Sequence, residues 1–289
     1  DPADRRLDGY QVLLPRPSSW PLLANQRTEL FGVEDAQGYN PMQSPRYWTF
    51  IRTVDAPKRI RYNAAALTRL SPVALDLLQV NAVVGPAGLQ SKEIGPAIAH
   101  QGGWALYPVR DPAPRASVVS SWKVVGSQDA ALREVTTQGF DPSSVAVLER
   151  DPGIARTAGG GGGRAHYVQV SPGAARVQVV APSPAVVVIR NAYDPGWRAT
   201  VDGRPAAVLA ADGVDQAVVV PAGRHTIVLT YHDPLVGWSL AGSGVAIIGL
   251  LGAAIVLAVR SRRRRDQSRP AQNGVPAGGS GPPANVRTR

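Results

Sequence analysis

Between residues 166 and 231 the apolar side chains recur at every second position. Ala175, Val177 and Val179 alternate with Arg176 and Gln178, and Ile227, Leu229 and Tyr231 alternate with Thr226 and Thr230. A period of two sends one set to a buried face and the other to a wet one, which predicts half-buried β-strands. Turn signals punctuate them. Asp202-Gly203 and Asp212-Gly213 accept the positive φ of tight hairpins, and Pro221-Ala222-Gly223 makes a slightly longer link. Roughly seven strands of about 5 to 8 residues at this spacing predict an antiparallel β-sandwich over 166–233, jelly-roll-like, of a kind that often binds carbohydrate.

The first part, 1–150, has a different rhythm. Ser71-Pro72 before VALDLL reads as a capped helix start with Pro at the first helical position, and AVV at 82–84 reads as a short buried strand ended by Gly85-Pro86. A second unit follows: ASVVSSWKVV (116–125) is rich in β-branched residues, Ser127 caps a helix over QDAALREVTT, and SVAVLE returns to strand. This region is therefore expected to be α+β. Between the two parts, 151–165 contains five consecutive glycines at 159–163. Such a segment has maximal backbone freedom and predicts a flexible loop. It does not fit a phosphate-cradling loop, which needs a following Lys and Ser/Thr opening a helix, whereas Arg164 precedes the strand-like AHYVQV.

The pattern changes again at residues 235–259, LVGWSLAGSGVAIIGLLGAAIVLAV, which carry no charge over 25 positions. As a helix this run is about 37 Å long against about 30 Å of hydrocarbon, so it predicts one transmembrane helix. Tyr231 and Trp238 at one end and five arginines at 260 and 262–265 at the other form the flanks of a span. The arginines place that end in the cytoplasm and 1–233 outside. Small residues four apart, Gly242 with Ala246 and Gly249 with Ala253, would let another helix approach closely. The chain opens at Asp1 without a basic or apolar export segment, so it is expected to be a fragment preceded by an upstream membrane segment or signal. Residues 266–289 offer almost nothing large and apolar, and 260–289 are expected to form a basic, disordered cytoplasmic tail.

Composition sharpens this picture by exclusion. The formal charge is +10, but residues 260–289 hold eight Arg and one Asp, so most of the excess belongs to the tail and no basic face for nucleic acid is implied. The absence of Cys excludes disulfides, thiolate metal sites and Cys nucleophiles, and four scattered His leave little for a His-based metal site. No cofactor or metal is expected in this region. His225 and His232 fall on opposite faces of one strand and cannot share a metal, and His225 shares a face with Ile227 and Leu229 as a core-edge residue. The pairs Asp202 with Asp212 and Asp212 with Asp215 sit at hairpin turns, where Asp is a turn former rather than a general acid or base.

Two clusters are candidates for binding carbohydrate. In AYDPGW, the aromatic faces of Tyr193 and Trp197 suit the apolar faces of pyranose rings and Asp194 can accept from hydroxyls, although Pro195-Gly196 is also a turn with flanking aromatics that cap a core. In GYNPMQSPRYW, Tyr39, Asn40, Arg46 and Tyr47 are expected on an irregular loop, where Arg46 could meet a lipid phosphate or an anionic polymer.

The run VVVIRNAYDPGWRATVDGRPAAVLAADGVDQAVVVPAGRHTIVLTYHDP (186–234), followed by a membrane span, resembles the C-terminal end of the bacterial YfhO-type membrane proteins. ELFGVEDAQGYNPMQSPRYWTF (29–50), LDLLQVNAVV (75–84) and APRASVV (113–119) are similar to that family's preceding stretch. The resemblance implies a polytopic GT-C-type glycosyltransferase of the cell envelope that uses a polyprenyl-phosphate-linked sugar. Its catalytic carboxylate would lie before Asp1, so no catalytic residue is expected here. The implied partners are membrane lipid, the upstream transmembrane helices of the same protein and an envelope glycopolymer. The alternative is a membrane-anchored carbohydrate-binding or structural module without transferase activity.

Overall fold

The elements of the first hundred residues are β1 (Arg6–Gly9), β2 (Glu34–Asp35), β3 (Gly38–Tyr39), α1 (Pro45–Asp55), β4 (Ala64–Ala65), α2 (Pro72–Leu77), β5 (Val80–Pro86), β6 (Ala99–Gln101) and β7 (Trp104–Pro108). They belong to a computed structural model that describes residues 6–9, 34–36, 38–39, 44–55, 64–65, 67, 70–156 and 162–267. A five-stranded sheet runs β2-β1-β5-β7-β6, parallel at β2-β1-β5 and antiparallel beyond. Helices α1 and α2 bury Phe50, Ile51, Leu75 and Leu77 in one core with Val80, Val83 and Tyr107. The α+β reading holds here. Ser71 does precede a helix with Pro at its start, but its side chain makes no cap bond; its carbonyl accepts from the Leu75 N–H at 2.9 Å instead.

The next unit is β8 (Ala116–Val119), β9 (Ser121–Val124), α3 (Gln128–Val135) and β10 (Val145–Leu148). Ser127 caps α3, its Oγ accepting from the Ala130 N–H at 3.3 Å, and the helix crosses between the parallel strands β9 and β10. The expected single strand over 116–125 is two strands. After them come β11 (Arg164–Ser171), β12 (Ala174–Ala181), β13 (Ala185–Ile189), β14 (Trp197–Val201), β15 (Arg204–Ala206), β16 (Leu209–Ala211), β17 (Asp215–Val220) and β18 (Gly223–Tyr231).

These strands form two sheets, a five-stranded one ordered β11-β12-β18-β14-β15 and a six-stranded one ordered β8-β13-β17-β16-β10-β9. β8 and β9 are opposite edges of the second sheet, yet only Ser120 separates them in sequence. A sheet whose two edges are consecutive stretches of chain must roll up on itself. The concave side holds Val119, Trp122, Ala146, Leu148, Val186, Val188 and Ala217 in one cluster. The outer side presents Val187, Ile189, Val218 and Val220, which pack against Val177, Val179, Ile227 and Leu229 of the five-stranded sheet.

Face-to-face packing of two sheets through one apolar layer is the sandwich. It also explains why β13 does not alternate: all five of its residues are buried because both faces of its sheet are covered. Fully burying each of its aliphatic side chains stabilises the fold by about 1.5–3 kcal/mol.

The glycine-rich stretch divides the sequence but not this sheet, whose strands β8, β9 and β10 come from before it. The sandwich is therefore not confined to 166–233. Residues 157–161 lie outside the described residues, so the flexible-loop expectation does too for most of its length. Gly163 is placed close to β8, where an added Cβ would sit 2.5 Å from Val118 Cγ1. At that position the absence of a side chain is a packing requirement.

Residues 1–232 and 233–289 cluster as two separate units. In the second, α4 (Pro234–Gln267) is one continuous helix. Its segment Val236–Arg263, whose most apolar 18 residues have a mean hydropathy of 2.3, is the one helix among the described residues long and apolar enough to cross a membrane. Its large apolar side chains are exposed, Trp238 at 78% and Ile248 at 71%. A continuous bare apolar surface of this kind needs a lipid or protein cover. The helix runs on through Arg260 and Arg262 to Gln267, so the first eight residues of the expected disordered tail are helical. The remainder, 268–289, lies outside the described residues.

Candidate functional site

Arg46 is not on a loop. Ser44-Pro45 opens α1 just as Ser71-Pro72 opens α2, and Arg46, Tyr47 and Trp48 occupy its first turn. Tyr39 falls in the two-residue strand β3, and Asn40 lies outside the described residues. The Arg46 guanidinium forks onto Glu149, donating from Nη1 to Oε1 at 2.5 Å and from Nη2 to Oε2 at 2.7 Å, and Nη1 also donates to the Gly213 carbonyl at 3.1 Å. Its Cζ lies 5.0 Å from the centre of the Tyr193 ring. The structure thus brings Arg46 and Tyr193 together, across 147 positions of sequence, and covers one face of the ring with the guanidinium.

Several elements meet at this point. Gln128, the first residue of α3, donates from Nε2 to the carbonyls of Arg46 at 2.8 Å and Gly213 at 2.9 Å. The Tyr193 N–H donates to the Val214 carbonyl at 2.7 Å. The β16–β17 hairpin tip is therefore a keystone between the helices and the sandwich. Its shape comes from Asp212 at φ +51° and Gly213 at φ +76°, the positive angles expected of Asp-Gly. Gly213 is required twice over, since an added Cβ would lie 2.5 Å from Leu132 Cδ2.

The other candidates are apart from this cluster and from each other. Tyr47 donates its hydroxyl to the Ala36 carbonyl. Asp194 closes its own turn, Oδ1 accepting from the Gly196 N–H at 2.7 Å. Trp197 stands edge-on to Tyr231 with ring centres 5.4 Å apart. Gly196 admits that arrangement because any Cβ there would meet Tyr231 Cε2 at 2.7 Å. The AYDPGW sequence thus builds a turn that ties the start of β14 to the end of β18, and its aromatic and carboxylate groups are engaged within the protein.

Sequence reasoning passed over the buried polar groups. Arg190 is fully buried and donates to the Pro114 carbonyl at 2.7 Å, Ser117 Oγ at 2.8 Å and the Pro142 carbonyl at 3.1 Å. Arg115, 5% exposed, donates to Asn191 Oδ1 from Nε at 3.0 Å and from Nη2 at 2.6 Å, and to Glu34 Oε2 at 2.5 Å. It also lies over the Tyr167 ring at 4.9 Å. The legible signal was Arg190-Asn191 directly after AVVVI: polar groups at the end of a doubly covered strand must be buried and paired.

Asp212 is fully buried, with Oδ1 accepting from the Val147 N–H at 2.7 Å and Oδ2 without a hydrogen-bond partner. Burial pushes its carboxyl up from 3.8 to about 7, against the opposing pull of the Val147 N–H and the Arg190 charge. Burial likewise raises Asp76, opposed by Arg190 and reinforced by Asp141 and Glu93. A perturbed carboxyl is a mark of active sites when it faces a cleft. Asp212 is fully enclosed by protein, and that burial is the main cause of its shift.

His225 does share the inward side of β18 with Ile227, opposite Val179, and at the rim its Nδ1 meets Asp202 Oδ2 at 2.7 Å. The hydrogen bond raises the His225 pKa and lowers that of Asp202. Asp202 also closes the β14–β15 turn at φ +50°, its Oδ1 accepting from the Thr226 N–H at 2.8 Å. Among the described residues no group of three or more His, Asp or Glu is placed to hold a metal ion.

The fold and these contacts define a β-sandwich module joined to a long apolar helix, with its internal polar groups committed to holding the sheets and helices together. Comparison of the chain with protein-family models, curated proteins and solved structures finds no match.

Proposed function

We propose that the chain is the extracytoplasmic C-terminal region of a polytopic bacterial membrane protein of the YfhO type, an envelope glycosyltransferase. In this reading the region supports acceptor positioning or structure and is not itself catalytic. The polyprenyl-phosphate-linked sugar donor and the catalytic carboxylate belong to upstream membrane segments. The observation that carries the reading is the junction between β18 and α4: only His232 and Asp233 separate the last sandwich strand from a helix long enough to span a bilayer. A folded module so tethered works at a membrane surface.

A second reading, a membrane-anchored carbohydrate-binding or structural module without transferase activity, is favoured by an open depression of about 470 Å³ on the five-stranded sheet, bordered by Arg164, His166, Gln178 and Arg224. The test compares sugar substituents on the envelope polymers of parent cells and of cells lacking the chain. The glycosyltransferase reading expects a substituent to disappear and to return with the complete protein but not with one lacking the sandwich. Unaltered substituents in every strain contradict that reading and leave the binding module.

A further inference from the structure

The outward face of the five-stranded sheet has a segregated chemistry. Its strands read RAHYVQVS, AARVQVVA, WRATV, RPA and GRHTIVLTY, with no Asp or Glu among them. In β12 the buried set is Ala175, Val177, Val179 and Ala181, so Arg176, Gln178 and Val180 point outward. The register extends this face across the sheet: Arg164 and Arg224 flank Val180, His166 and Thr226 flank Gln178, Val168 and Val228 flank Arg176, and Arg198 adjoins Thr230. All four arginines are exposed, and none has a carboxylate partner among the described residues.

Placement decides what such a face can hold. Arg164 and Arg224 stand two strands apart, about 10 Å, and Arg176 lies about 14 Å further along the sheet, from the ordinary strand spacings. At these backbone spacings the cations are spread along the face rather than gathered at one point, which suits a ligand that carries several anionic groups. Between the cations lie the amide of Gln178 and the hydroxyls of Thr200, Thr226 and Thr230, which can exchange hydrogen bonds with sugar hydroxyls. The outward positions hold no Trp, Tyr or Phe, so stacking on a neutral pyranose is not the mode of recognition. At the Arg164–Arg224 end the face sinks into the depression described above, floored by Val180.

We propose that this face binds a polyanionic glycan, a polymer bearing carboxylate or phosphate groups along its length, laid across the strands from the Arg164–Arg224 depression towards Arg198. Naming the polymer as a glycan rests on the envelope placement proposed above; the charge match does not. The test uses the complete chain in phosphatidylcholine nanodiscs with polygalacturonate as the probe, and a variant carrying R164Q, R176Q, R198Q and R224Q together. The expected result is binding that weakens with added salt, is absent for neutral dextran, and falls about ten-fold or more in the variant, since four exposed charge contacts are removed. Unchanged near-ultraviolet circular dichroism verifies that the variant is folded; if it is not, the same comparison is made with each single substitution.

No binding of polygalacturonate, equal binding of dextran, or affinity indifferent to the substitutions overturns the proposal. So does binding confined to phosphatidylglycerol vesicles or to a single-stranded polynucleotide, which would assign the face to lipid or nucleic acid. The envelope placement is tested separately by labelling in cells, so the two can fail independently.

Discussion

Replacing Asp212 by Asn isolates the charge of the buried hairpin tip. Asn retains an acceptor for the Val147 N–H and tolerates the left-handed φ of +51° at this position. In the native chain the carboxyl titrates near 7 when folded and near 3.8 when unfolded. Because the folded state holds the proton more tightly, stability is greatest below pH 4, falls as pH rises between about 4 and 7, and levels off above. At about 1.4 kcal/mol per pH unit, the difference between 3.8 and about 7 corresponds to about 4 kcal/mol lost across that window. The variant has no such titration. Its amide does bring N–H donors to the place where Oδ2 has no partner, which costs about 1–3 kcal/mol. The net expectation is a variant less stable than the native chain at pH 4, and more stable by about 1–3 kcal/mol at pH 8. Urea unfolding of the full chain in detergent, followed by Trp fluorescence at a series of pH values, measures both slopes. A native profile that is flat between pH 4 and 7, or one that the variant merely shifts in parallel, refutes the reasoning.

Gly213→Ala should destabilise by about 2–4 kcal/mol, from strain at φ +76° and the collision with Leu132, with co-substitution of Leu132 by Ala relieving only the collision in the same denaturation assay. Arg46→Ala should cost about 2–4 kcal/mol because it strands a mostly buried Glu149; Glu149→Gln on that background should recover part of the loss, and a double-mutant cycle with no coupling would dismiss the pair. Asp202→Asn should bring the His225 titration back towards 6.5, as followed by the imidazole proton shifts in NMR; an unchanged titration would detach the shift from this contact.

The strands and the span were legible because each has a simple period. Alternation from Ala175 to Val179 marked β12, the uncharged run marked α4, and Ser127 marked the start of α3. The rolled sheet was hidden for a physical reason. Its strands are brought together by long-range pairing, and β13, covered on both faces, loses the alternation that betrays a half-buried strand. The segment 116–125 reads as one strand because a bend at Ser120 leaves no pattern in side-chain polarity. The candidate residues were found by type and misplaced by context. Arg46 looked free because its partner Glu149 is 103 positions away, and Tyr193 looked like a platform because the guanidinium that covers it comes from α1. Arg176 and Arg224, ordinary wet-face residues in sequence, gain meaning only when the register sets them on one face free of acidic side chains.

The account turns on which side of the membrane the sandwich occupies. The natural chain has no cysteine, so single-cysteine variants report without background: Ser171→Cys in the exposed end of β11, and Ser280→Cys beyond the arginines that follow the span. In intact cells a membrane-impermeant maleimide is predicted to label position 171 at once and position 280 only after permeabilisation. Labelling of 280 with protection of 171 would put the sandwich in the cytoplasm and contradict the account.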